Sequence, residues 1–552
     1  MRTLAFCIVA ATAMASTTAV AATNQLDVII RNGLVYDGTG AKPVKADVGI
    51  ANGKIVWVGA AGKRAATTVI DAAGLAVAPG FIDPHNHVAE EVARSPEPFL
   101  DEQYLTQGVT TLLLGPDGAF SPAELRVLIA DLKKDGVSNN YACYVGHNGV
   151  RNAVMKKAQR APTAAELNQM KALVREGMQM GCVGFSSGLM YEPGMFSKTD
   201  ELIALAKEVA PFGGIYESHT RDPVKHMLAS DTEAVDIGVA AGIPARVGHL
   251  KAVGLENKGH IIDVIKMIEA QRAAGHEVTS DQYPYDGAAT TPLPGVFVLP
   301  AGSPAPDSEW GWSAGAIRSA LQAASKDAGK RAALKAATEN GVDGGFSWVK
   351  AVGYGSMRIV DAPGRPELNG KNLMLMARES GKEPFDVLTG LFLLDQGDRI
   401  VITLGSIDEA DVQLLMKQPW NMISSDGGLV SGTGQNGHPR STGSFTRVLG
   451  HYSRDLKLFP LEEAIRKMTS LTADSLRLYD RGRIKAGLAA DITIFDPRTV
   501  IDRSDYLHPN RLSEGIKTVL VNGRVVLRDG KVTGATPGQF ISRQAQSSSE
   551  HN

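Results

Sequence analysis

A chain of 552 residues with 57 basic and 59 acidic side chains and a net charge of -2 has ample length for a large core. It exceeds the roughly 250 residues of a plain α/β barrel, leaving room for a second domain and an insertion. The balanced charge, without a basic run, excludes nucleic acid as an expected partner, and three cysteines without a CxxC pair exclude a thiolate metal cluster.

The first residues, Met1-Arg2-Thr3, an apolar run over 4–15 and Ala19-Val20-Ala21, have the three regions of a secretory signal, placed at 1–22. The apolar run is shorter than the roughly 20 residues that cross a bilayer, so the expectation is export to a bacterial periplasm or secretion, without membrane insertion. Cys143 and Cys182 then remain, in strand-like runs of different βα units, and are expected as free core thiols rather than a disulfide. Short strand-like runs at 26–30, 33–37, 48–50, 55–58 and 68–71, broken by Gly, Asp and Asn turns, return as a similar set at 490–496, 518–521 and 525–527. Segments 23–78 and 486–541 are therefore expected to build one β-sandwich from both termini.

Between them lies a repeating pattern. Pro79-Gly80-Phe81-Ile82-Asp83-Pro84-His85-Asn86-His87 places two histidines on one side of an extended segment, where they can share a metal. Later apolar runs end at Asp117, His147, Ser186-Ser187, Glu217-Ser218-His219, His249-Leu250-Lys251, Tyr283 and Ser425-Asp426. From His85 to Tyr283 the markers lie 30 to 39 residues apart, the length of a βα unit. Helical periodicity at 164–180, 231–241, 261–274 and 461–470 falls between strand candidates. The expected fold is α/β, a (β/α)8 TIM barrel over 79–485 with its site at the C-terminal strand ends. Residues 286–369, rich in Pro and Gly with an aromatic patch at 310–312, read as an inserted lid or subdomain. A run at 399–404 is one strand candidate too many, which leaves the last barrel strands open. The polar end, 542–552, reads as a flexible tail.

A single histidine is more often structural than catalytic, and His226, His260, His276, His451 and His508 take that reading. His85, His87, His219, His249 and Asp426 differ because all fall at strand ends of one barrel face. Zinc suits such imidazole and carboxylate donors, as one ion or two, and manganese, iron or cobalt would also fit. A metal on His219 and His249 would lower the pKa of its water to about 7. Asp426 is then the group placed to take the proton and return it to a leaving nitrogen.

These residues resemble the amidohydrolase superfamily and, within it, the D-aminoacylase (N-acyl-D-amino-acid deacylase) family. The likeness rests on the His85-Asn86-His87 segment, on Gly184-Phe185-Ser186-Ser187-Gly188-Leu189-Met190-Tyr191-Glu192-Pro193-Gly194, and on Glu217-Ser218-His219-Thr220-Arg221-Asp222. It continues in Gly248-His249-Leu250-Lys251, Asp281-Gln282-Tyr283-Pro284-Tyr285, Ser425-Asp426-Gly427, His438-Pro439-Arg440 and Asp480-Arg481-Gly482. The resemblance implies a tightly held zinc at His219 and His249 and a weaker position at His85, His87 and Asp426. It also implies a substrate carboxylate gripped by Lys251 and Arg440, with Tyr191 and Tyr283 lining the pocket. Where the family usually has a cysteine in a Gly-Asn-Cys-Gly setting, this chain has Gly115-Pro116-Asp117-Gly118. Asp117 is read as a harder bridging ligand, against the alternative of a turn residue with a single metal held elsewhere. His147 is expected to orient substrate or to buttress the site.

The expected activity is zinc-dependent hydrolysis of N-acyl-D-amino acids or of small peptides ending in a D residue. The alternatives are a dipeptidase, a cyclic-amide hydrolase or a non-catalytic relative. The expected partner is a small N-acylated amino acid or short peptide; the oligomeric state is left open.

Overall fold

The computed structural model describes residues 26–88, 101–304, 306, 311–343, 345–428 and 437–543. The expected signal at 1–22 lies outside them, as does 544–552 of the expected tail. Residues 542 and 543 are held against the barrel: Arg543 donates hydrogen bonds to the carbonyls of Met178 and Cys182. No helix among the described residues is long and apolar enough to cross a membrane.

The amino-terminal strands are β1 (Leu26–Val35), β2 (Val44–Ala51), β3 (Lys54–Gly59), β4 (Ala66–Asp71) and β5 (Ala76–Pro79). The barrel follows with β6 (Phe81–Asp83), β7 (Val109–Leu114), β8 (Asn140–Gly146), β9 (Gly184–Gly188), β10 (Ile215–His219), β11 (Ala245–Val247) and β12 (Val278–Gln282). After β13 (Gly287–Pro292), β14 (Met357–Asp361) and β15 (Val401–Gly405), the chain returns to the barrel with β16 (Asn421–Ile423). It ends in β17 (Ile492–Phe495), β18 (Ile516–Val521), β19 (Arg524–Arg528) and β20 (Lys531–Val532).

Both termini share one nine-stranded sheet, in which β17 joins the halves by pairing antiparallel with β5. Its interior is a separate core that includes Val28, Ile30, Val48, Ile50, Ile492, Ile494 and Leu520. The eight strands β6 to β12 and β16 run parallel in barrel order. Closure between β16 and β6 is made by the residues that follow them: Asp426 N donates to His85 O at 2.8 Å and His87 N to Gly427 O at 2.8 Å. Asp83 reinforces the seam by accepting from Ser425 N and Ser425 Oγ. The last link of the barrel thus carries the first two histidines and the aspartate to one point.

The helices outside the barrel follow from their sequence. Ala164–Gln179 begins with Thr163, whose hydroxyl accepts from Glu166 N while the Glu166 carboxylate accepts from Thr163 N. Such a cap contributes about 1 kcal/mol. Met170, Val174 and Met178 stand four apart, so one stripe of this helix packs on Val145 and Phe185 of β8 and β9.

The inserted subdomain is longer than the 286–369 read from sequence. β13, β15 and β14 form their own three-stranded antiparallel sheet, and a separate core runs from Leu293 to Leu404. The helices Leu373–Ser380 and Pro384–Phe392 pack inside that core. They lie beyond the expected end of the insert, and tertiary packing assigns them to it. The surplus strand at 399–404 is β15, so β16 completes the barrel.

The free-thiol expectation is corrected: Cys143 and Cys182 form a disulfide. Cys143 lies on β8 and Cys182 just before β9, and these parallel neighbours pair Tyr144 with Gly184. The register sets the two thiols side by side although 39 residues separate them.

Candidate metal centre and active site

Six side chains from five strand ends converge at the barrel mouth. His85 and His87 follow β6, Asp117 follows β7, His219 ends β10, His249 follows β11 and Asp426 follows β16. Three of them, Asp117 at φ 56°, His249 at 33° and Asp426 at 48°, adopt left-handed backbone that non-glycine residues rarely take. Strain of this kind, of order 1–3 kcal/mol per residue, persists where the surrounding fold enforces it, and it gathers at functional sites.

Asp117 is the hub. Its Oδ1 lies 3.3 Å from His85 Nε2 and 3.7 Å from His249 Nε2. Its Oδ2 lies 3.4 Å from His219 Nδ1 and 3.7 Å from His87 Nε2. One carboxylate therefore touches four imidazoles, a position that an incidental turn residue would not reach. His249 Nε2 and His219 Nδ1 are 2.8 Å apart. Asp426 Oδ1 closes the other side, 3.1 Å from His87 Nε2 and 3.8 Å from His85 Nε2. Three overlapping donor triads result: Asp117 with His219 and His249, His85 with His87 and Asp117, and His85 with His249 and Asp426. Within each, the donor atoms lie within 4.8 Å of one another.

The electrostatics are those of a cation site. Burial works against charge on Asp117 and Asp426, yet the neighbouring histidines for Asp117, and Arg440 with His249 for Asp426, hold both well below the usual carboxylate range. Burial also opposes a charge on His85, but Asp117 and Glu217 outweigh it and raise its pKa well above the ordinary value. Burial and the Lys251 ammonium lower His249 to about 3, leaving it neutral, the form that binds metals. Asp117 Oδ1, His85 Nε2 and His219 Nε2 are buried and have no hydrogen-bond partner. Orphaned donors among imidazoles and carboxylates fit a divalent metal ion.

Glu217 is a residue that sequence reasoning passed over. It is fully buried inside the barrel, with Oε1 3.2 Å from His85 Nδ1, the contact that fixes a ligand histidine's tautomer and orientation. Gly248 makes the contact possible, since a Cβ there would lie 2.2 Å from Glu217 Oε1. The only signal for it was alternation along β10, which turns Glu217 inward, away from the barrel helices.

The other expected residues divide. Tyr191 is in place, its hydroxyl 3.2 Å from His219 Nδ1. Lys251 Nζ lies 2.9 Å from His249 Nδ1 and 4.0 Å from Asp426 Oδ2, and burial lowers its pKa to about 8. Arg440 donates to Asp426 Oδ2 at 2.6 Å. Tyr283 serves both cations as a platform, its ring 5.2 Å from Lys251 Nζ and 4.8 Å from the Arg440 guanidinium, while its hydroxyl donates to Ala288 O. His438 accepts from Arg440 N and bonds through Nε2 to Gly287 O, so β13 is tied to the site. For His147, expected to orient substrate or to buttress the site, the substrate role is corrected. His147 opens the helix His147–Met155, is fully buried, and spends Nε2 on Glu201, which also receives Arg151. It is a packing residue on the outer side of the barrel wall.

Known proteins share the chain's sequence and fold. A family model described as "Amidohydrolase family" matches residues 376–527, and one described as "Urease alpha-subunit, N-terminal domain" matches residues 6–80. The chain is 33% identical to a D-aminoacylase of Alcaligenes xylosoxydans xylosoxydans over 94% of its own length and 98% of the relative's. Solved structures of D-aminoacylase, one of them concerned with its binuclear metal center, match with a TM-score of 0.73 at 31% identity, covering 94% of this chain and all of theirs. An N-acyl-D-glutamate deacylase of Bordetella bronchiseptica, complexed with zinc and a phosphonate mimic of the tetrahedral intermediate, matches at 0.72 and 30% with the same coverage. By fold and sequence this chain belongs to the amidohydrolases, in the D-aminoacylase family of amide-bond hydrolases.

Proposed function

We propose that the protein is a zinc-dependent deacylase of N-acyl-D-amino acids. The observation that carries this reading is the pair of cations, Lys251 and Arg440, stacked on Tyr283 beside Asp426 at the edge of the donor cluster. A hydrolase of neutral cyclic amides has no use for two cations there, whereas an α-carboxylate needs them. The relatives' names, D-aminoacylase and N-acyl-D-glutamate deacylase, support the D configuration.

His85, His87, Asp117, His219, His249 and Asp426 would hold zinc, which when bound polarises the amide carbonyl and acidifies water to a pKa of about 7. The protein's own groups do the rest. Arg440 and Lys251 fix the substrate carboxylate and with it the position of the scissile amide. Tyr191 flanks the acyl carbonyl from the His219 side. Asp426 takes a proton from the attacking water and delivers it to the leaving nitrogen, so that one water yields the free acid and the free D-amino acid.

The test is amine release from matched N-acetyl-D- and N-acetyl-L-amino acids by the zinc-loaded protein; turnover of L substrates alone would overturn the D assignment. Arg440→Met is expected to lower kcat/KM for carboxylate substrates by about 10- to 100-fold, while substrates whose carboxyl is capped as an amide stay at the wild-type level. Equal losses on both would mean that Arg440 serves Asp426 rather than substrate.

Export belongs to the same reading and is supported by the Cys143–Cys182 disulfide, a bond that persists in oxidising compartments. After denaturation, protein recovered from the periplasmic fraction is expected to be inert to thiol reagents at Cys143 and Cys182, and a form lacking 1–22 and kept in the cytosol to react at both. Recovery of the full-length protein in the cytosolic fraction with free thiols would count against export.

A further inference from the structure

A cleft of about 1040 Å³ opens beside Tyr191, between the barrel mouth and the inserted subdomain. Pockets of roughly 300–1,000 Å³ accommodate drug-sized ligands, so an N-acetylated amino acid would leave most of this space empty. Met190 and Met195 line it from the barrel side, and Phe297, Trp312, Phe346 and Trp348 from the insert. Phe297 is buried, Trp312, Phe346 and Trp348 are half-buried, and Phe346 meets Trp348 edge to face at 4.8 Å. Trp312 already donates its indole N–H to Pro304 O, so its ring offers the cleft apolar surface. The polar lining is divided: Glu124, Asn152, Lys157, Gln159 and Glu192 are exposed, whereas Asn148 and Ser347 are buried at its base.

Two sets of contacts bear on which part of a substrate meets this cleft. The cations Lys251 and Arg440 stand at Asp426, and the Tyr191 hydroxyl stands at His219 with the cleft beyond it. A substrate held by its carboxylate at the first end, with its amide over the donors, directs its acyl group toward Tyr191. We propose that the cleft is a subsite for an extended apolar acyl chain, which makes medium- and long-chain N-acyl-D-amino acids the substrate class; this rests on the deacylase reading above.

The experiment is a chain-length series, N-acetyl-, N-butanoyl- and N-octanoyl-D-methionine, with the zinc-loaded enzyme and a Trp312→Ala/Trp348→Ala double variant. The expected result is a kcat/KM about tenfold or more higher for octanoyl than for acetyl, with that advantage lost in the double variant and the acetyl value unchanged. A flat or falling profile with acetyl still hydrolysed would overturn the subsite while leaving the deacylase reading intact. If no D substrate is hydrolysed, the deacylase reading fails, and calorimetric binding of N-octanoyl- against N-acetyl-D-methionine decides the subsite alone. Tighter octanoyl binding that the double variant loses would uphold it, and equal or undetectable binding would overturn it.

Discussion

Asp426→Asn is expected to lower kcat by about 10³- to 10⁴-fold while leaving metal content and fold in place. Asparagine tolerates the left-handed backbone of this position, at φ 48°, so the substitution adds little strain. It keeps the shape of the side chain and an oxygen for Arg440, and removes the capacity to accept a proton. The triad of Asp117, His219 and His249 remains to hold an ion. Metal analysis alongside kinetics separates two roles for Asp426. Lost turnover with retained metal identifies the proton carrier, whereas parallel loss of both would make it chiefly a ligand. A kcat within tenfold of wild type would assign proton transfer to another group.

Asp117→Asn is expected to do the reverse and strike the metal first. The carboxylate has one oxygen toward His85 and His249 and the other toward His219 and His87, so it belongs to both clusters at once. Losing its charge removes the anion that faces three buried imidazoles and the half-buried one of His87. Zinc affinity should fall by at least about a hundredfold, since even partners one layer further out are worth 10- to 100-fold. Competition against a chelator, read as metal content, measures this without reference to turnover. Asp117→Cys should restore zinc, because a soft thiolate suits that ion, while narrowing the range of metals accepted. An Asp117→Asn protein that keeps its full metal content would reduce Asp117 to a turn residue.

The candidate metal donors were legible because each closes an apolar run, and a barrel gathers its strand ends on one face. His147 obeyed the same pattern and was misplaced. A strand-end position fixes height along the barrel axis but not direction, and β8 passes straight into a helix whose first side chain meets Glu201 behind the wall. Glu217 was hidden for a related reason. In the sequence it is one charged residue before a ligand, and only its burial beneath His85 gives it a task. The disulfide required the pairing of β8 with β9, which neither cysteine announces alone. The insert was recognised where periodicity failed, at its start, and its end was set too early, before two helices that tertiary packing assigns to it.

The insert's position has one more consequence. Every metal donor, together with Lys251 and Arg440, lies outside the segment from β13 to β15, while Phe297, Trp312, Phe346 and Trp348 of the outer cleft lie within it. The candidate donors and the aromatic wall of the cleft are thus written in separate stretches of the gene, while Met190, Tyr191 and Met195 of the barrel complete the cleft's other wall. Under the proposed subsite, mutation or recombination confined to the insert would reshape that wall without touching the candidate donors.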